Sequence, residues 1–169
     1  MSTTRSQIIA SADPKGHFSE GTLIAGITPV PGTLLEQDQT GPVDHNGRKP
    51  LKLWAGGAEA IVLLENYGLG KGKTDAYAAS SHCFLYHPVP GDEIELVCKD
   101  TEVGNGAPLA LNSGGFVTEG TAVASPFVAM EALAEISQAA LATAVYRHVL
   151  ARYAGGALGT AETTTTPAP

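Results

Sequence analysis

Seven residues, Gly68-Leu69-Gly70-Lys71-Gly72-Lys73-Thr74, come nearest to a chemical motif in this chain. A phosphate-binding loop must wrap its N–H groups around the phosphates, which fixes the glycine spacing. Counting back five from Gly72, the required glycine falls on Tyr67, and Gly68 is one residue too close. The following Asp75-Ala76-Tyr77-Ala78-Ala79-Ser80 is too short for the long amphipathic helix such a loop opens, so nucleotide binding is not expected. His82, His87, Cys83 and Cys98 are the one conceivable metal cluster. In a strand, however, an odd interval sends His82 and His87 to opposite faces. The cysteines show neither zinc-finger nor disulfide-framework spacing. They could face each other across a hairpin, but two buried, reduced thiols are the commoner arrangement. No G-x-S-x-G elbow occurs, and Asn112-Ser113-Gly114-Gly115 has turn composition. The carboxylates Glu65, Asp75, Asp92, Glu93, Glu95 and Glu131 are dispersed. No catalytic residue, metal ligand or cofactor site is expected, and the chain is read as a non-enzyme.

The elements that would position these residues are short. Residues 1–20 are polar, with a small Ile8-Ile9-Ala10 patch and a breaker cluster Asp13-Pro14-Lys15-Gly16, and are expected to form an arm with a short strand outside the core. Leu23-Ile24-Ala25 and Pro31-Gly32-Thr33-Leu34-Leu35-Glu36 are bounded by Gly or Pro as short strands should be. Residues 38–50 are loop-like, and Leu51 to Trp54 alternates. Ala60-Ile61-Val62-Leu63-Leu64 is apolar on both faces, which predicts a central strand covered on two sides. His82 to His87 and Glu93 to Lys99 form a strand pair around the turn 88–92. In the second strand Ile94, Leu96 and Cys98 should face the core and the alternate residues water. Residues 31–43 and 107–117 share a strand–turn–strand grammar. A helix is expected from about Glu131 to Ala144. Beyond it, alternation through Arg147, Val149 and Ala151 also permits a strand. The tail from Gly155 to Pro169 is almost entirely Gly, Ala, Thr and Pro, which cannot bury enough surface to fold alone.

These elements make a mainly β domain over residues 21–134, barrel-like with a short helix, flanked by an N-terminal arm (1–20) and a C-terminal extension and tail (135–169). Twenty glycines and eleven prolines suit many turns and short strands. A net charge of −7 with ten scattered basic residues argues against nucleic acid. No apolar run reaches membrane-spanning length and no signal peptide is read, so a soluble product made in the cytoplasm is expected.

The run from Ile61 to Val97 resembles a family of tailed-bacteriophage head decoration, or cement, proteins. The shared order is Leu64-Glu65-Asn66, a loop with Gly72-Lys73, Asp75-Ala76-Tyr77-Ala78-Ala79, and Pro90-Gly91-Asp92-Glu93. Upstream Pro31 to Glu36 joins the match. Downstream so do Leu109 to Val117 and Val128-Ala129-Met130-Glu131-Ala132-Leu133, so that it covers roughly residues 26–133. Ser80-Ser81 departs from the family's Gly-plus-acid pair, and the chain continues well past Leu133. The resemblance implies a β-tulip fold, no cofactor, and homotrimers bound to the major capsid protein at threefold or quasi-threefold points on the outer surface of the virion. Another virion component, such as a head-fibre base or minor capsid protein, is the alternative; a ligand-binding barrel or small enzyme is a more distant one. Within this reading, Ile8, Ile9 and Phe18 are expected to contact the shell, and Tyr146 and Tyr153 a neighbouring subunit.

Overall fold

A computed structural model describes residues 7–155 apart from 45, 60, 122–124 and 144–146. It is mainly β, with ten strands and one short helix among the described residues. The sequence from His17 to Leu63 supplies β1 (His17–Thr22), β2 (Leu34–Gln37), β3 (Leu51–Leu53) and β4 (Ile61–Leu63). With β5 (His82–His87) they form a five-stranded sheet ordered β1-β5-β4-β2-β3. The rest of the chain gives β6 (Glu93–Cys98), β7 (Pro108–Asn112), β8 (Phe116–Glu119), β9 (Phe127–Ala129), α1 (Gln138–Thr143) and β10 (Arg147–Tyr153). Its strands close into a barrel, β10-β6-β8-β7-β9. No helix of the described residues is long and apolar enough to cross a membrane.

The doubly apolar β4 is the middle strand of its sheet, and all three of its residues are buried. One face carries Val62, Tyr86 and Leu34 into a core shared with Ile94, Leu96, Leu109 and Val149 of the barrel. The other face places Ile61, Leu63, Cys83 and Leu85 under Leu23 and Tyr77, which come from loops. Burying a Leu or Ile side chain contributes about 1.5–3 kcal/mol, so both faces stabilise the sheet. Sheet and barrel are also joined through their backbones at the β7–β8 turn. Leu34 N–H donates to Gly115 O at 2.8 Å, and Gly114 N–H donates to Trp54 O at 3.0 Å. Gly115 sits at φ +79°, where an added Cβ would lie 2.3 Å from Leu34 O. Glycine is required there on both counts.

Several sequence expectations are corrected. Residues 7–22 are integral to the fold: β1 pairs with β5 along its whole length, and Ile8 is fully buried in the shared core. Ile8 accepts from Glu95 N–H at 2.7 Å, Ala10 N–H donates to Glu93 O at 2.9 Å, and Ile9 bridges Ile94. That cover explains why β6 has no wet face. Glu95 and Val97 are buried as well as Ile94, Leu96 and Cys98, because the N-terminal segment and the Gly32 loop lie over them. Leu23 makes an isolated bridge to Leu51 and no strand. The proposed echo fails in its first half, since β2 pairs with β3 and β4 and residues 41–43 form no strand. The helix is shorter than expected, and residues 147–153 are a strand paired with both β6 and β9. Pairing on two sides makes β10 a barrel strand.

Candidate functional site

The largest exposed apolar side chains gather on one side of the sheet edge. Phe18 of β1 is 61% exposed, Tyr67 54% and Leu69 74%. Tyr67 and Leu69 belong to a single 3₁₀ turn, Tyr67–Leu69, ended by Gly70 in the left-handed conformation. That turn lifts both side chains away from the body, because Asn66 O accepts from Leu69 N–H and from Lys71 N–H, each at 3.1 Å. The Gly-Lys loop is thus a tight surface turn. Its second lysine, Lys73, is paired with buried Glu95.

Between Phe18 and the 3₁₀ turn runs a groove of about 580 Å³, lined by Ile9, Phe18, Leu64, Tyr67 and Phe84. A second groove of about 670 Å³ shares Gly68 and Phe84 with it and is bordered by Leu69, Tyr77 and His82. Phe84 therefore floors a continuous apolar furrow. Glu65 lies beneath it, buried, with one oxygen accepting from Ile8 N–H. Burial pushes the Glu65 carboxyl above its ordinary range, and Glu95 nearby adds to the effect against the bonds from backbone N–H groups and Tyr67. Burial, followed by the charge of Glu65, pushes the Tyr67 phenol up to about 12.

A second carboxylate locks the N-terminal segment. Asp92, only 2% exposed, accepts from Tyr86 Oη at 2.6 Å, Val89 N–H at 2.9 Å, Lys15 N–H at 3.0 Å and Gly16 N–H at 3.1 Å. Burial alone would raise its pKa, but these donors outweigh burial and hold it below the ordinary value. The furrow's near wall is held in place by this anchor.

Of the expected contact residues, the structure brings Ile9 and Phe18 to the furrow and withdraws Ile8 into the core. Tyr153 packs on Phe127, ring centroids 5.0 Å apart. Tyr146 lies outside the described residues. Tyr67, Leu69 and Phe84 were missed; the signal for the first two was an apolar pair inside a Gly-rich turn. His82 and His87 do take opposite faces of β5: His82 lies beside Phe84 and Glu20, and His87 stacks on His17. Cys83 and Cys98 are free, buried thiols in different cores. Burial pushes them up to about 12 and about 11. Among the described residues no three His, Cys, Asp or Glu side chains come together as a metal site.

The fold is similar to that in the crystal structure of the head fibre gp8.5 N base of bacteriophage phi29. The superposition has a TM-score of 0.51 and covers 87% of this chain and 100% of that one. The two share a fold. Their sequence identity is 9%, which carries no residue from the head-fibre base to this chain. No family model and no curated protein sequence matches the chain.

Proposed function

We propose that this chain is a structural component of a tailed-phage head, bound to the outside of the assembled capsid and reinforcing it as a decoration protein does. The observation that carries this reading is the fold held in common with a phage head-fibre base over the whole length of that domain. The ordered motifs between Pro31 and Leu133, which resemble head decoration proteins, support the same place in the virion. The partner is the major capsid protein, and attachment as homotrimers would multiply a modest contact through effective concentration. The apolar furrow beside Phe18, Tyr67 and Leu69 is the contact surface, because clustered large apolar groups are what a soluble domain exposes for a partner. A net charge of −7 suits a position away from packaged DNA.

One observation favours a second reading: the shared fold is that of a fibre base, which would serve as the socket for a longer appendage. Stoichiometry separates the two. The purified chain is to be sedimented with expanded, DNA-free shells, and the bound copies counted. Saturation near one copy per capsid subunit supports decoration, and saturation at a few copies per shell supports a fibre base. No co-sedimentation of folded protein would overturn both. The variant carrying Phe18→Ser and Leu69→Ser should stay folded and lose most binding.

A further inference from the structure

The face of the sheet opposite the barrel carries three polar side chains that meet at its β1–β5 edge. His17 and Ser19 of β1 and His87 of β5 share this face, with His17 directly opposite His87 in the pairing register. Ser19 Oγ lies 2.7 Å from His87 Nε2. On the ring's other side, His87 Nδ1 lies 2.7 Å from Glu59 Oε1. A carboxylate can only accept, so in the neutral imidazole the ring proton sits on Nδ1 and the Nε2 lone pair faces the serine. The Ser19 hydroxyl must then donate to Nε2, which is the polarity that general-base activation of an alcohol requires. The His17 ring stacks on His87 at 4.1 Å between centroids and 9° between planes, restraining the imidazole in that orientation.

The pair is accessible. A groove of about 840 Å³ is lined by Ser19, His87, Arg48 and Lys49. Arg48 donates to Glu20 O at 3.2 Å and Lys49 to Gly41 O at 2.9 Å, so both cations are held at the groove by the backbone. Positive charge within the groove favours the oxyanion of an acyl-transfer transition state.

We propose that Ser19 and His87, with Glu59 as a positioning residue, cleave small carboxylic esters in this groove. Ser19 Oγ bonds to the ester carbonyl carbon while its proton passes to His87 Nε2. The tetrahedral intermediate then breaks its bond to the alkoxy oxygen, and the alcohol leaves with that proton. Water, deprotonated by His87, attacks the acyl-serine; the carboxylic acid departs and Ser19 recovers its proton. This activity goes beyond the capsid role, and its failure would leave that role untouched.

The test is modification of the full chain by a fluorophosphonate probe, with the adduct mapped by peptide mass spectrometry and variants shown to unfold cooperatively. One adduct, on Ser19, is expected, and none on Ser19→Ala. His87→Ala should slow labelling about a hundredfold, the usual scale of general-base assistance. Glu59→Gln should slow it about tenfold or more, with Glu59→Asp recovering much of the rate, a rescue that loss of packing would not produce. The proposal is overturned if the folded wild type takes up no adduct. It is equally overturned if adducts spread over several hydroxyl side chains at rates indifferent to His87→Ala.

Discussion

Replacing Asp92 by Asn keeps the shape of the side chain and removes its charge at the anchor of the N-terminal segment. In the native protein Oδ2 accepts from Tyr86, Val89 and Gly16, and Oδ1 accepts from Lys15. An amide can offer its oxygen to the first three donors, but its NH₂ group then faces the Lys15 N–H. One bond to a charged acceptor is lost outright, at about 1.5–3 kcal/mol, and the other three fall from charge-assisted to neutral strength. The expected loss is about 3 kcal/mol in urea unfolding, or about 6–12 °C in Tm for a chain of this size. Tyr86→Phe should cost less. Combined with Asp92→Asn it should cost less than the sum, because the two share a bond. The sign with pH follows from the direction of the shift. The folded carboxyl titrates below its unfolded value, so its contribution is complete at neutral pH and is lost as pH falls through the folded pKa, in acid below about pH 4. The stability difference between wild type and Asp92→Asn should therefore shrink in that window. A loss under about 0.5 kcal/mol at pH 7, or a difference that does not change with acid, would refute the anchoring argument.

Three further outcomes are expected. Ile8→Ala should destabilise by about 2–5 kcal/mol, because the side chain is fully buried in the core shared by sheet and barrel; thermal unfolding unchanged from wild type would return it to the arm. Glu65→Gln should leave the protein as stable as wild type or more so at pH 7. The raised carboxyl of Glu65 makes the fold less stable as pH rises through its folded value, so the variant's advantage should vanish in acid urea titrations. Cys83 and Cys98 should resist a thiol reagent in the native state and both react in denaturant, since each is buried with its pKa raised; rapid native labelling of either would contradict the packing.

Elements whose burial follows a local pattern were legible in the sequence. Residues 82–87 form the expected strand in full, and the central place of β4 follows from its two apolar faces. What escaped is what depends on distant residues. β1, His-Phe-Ser-Glu-Gly-Thr, is an edge strand with little apolar alternation, and its register is set by pairing with residues far along the chain. Ile8 reads as part of a small apolar patch in a polar arm until Glu65 and β6 are seen to hold its backbone. Alternation in residues 147–153 gave the right alternative, but only closure of the barrel decides it. The furrow combined an expected Phe18 with Tyr67 and Leu69, which share no sequence pattern with it. Ser19, Glu59 and His87 lie on separate elements, and no short motif could have joined them.

Cryo-electron microscopy of expanded shells saturated with the purified chain tests the central claim most directly. The account predicts density for the sheet and barrel on the outer surface of the shell, with Phe18, Tyr67 and Leu69 against the major capsid protein. Bare outer surfaces, or the domain lodged inside the shell, would contradict it.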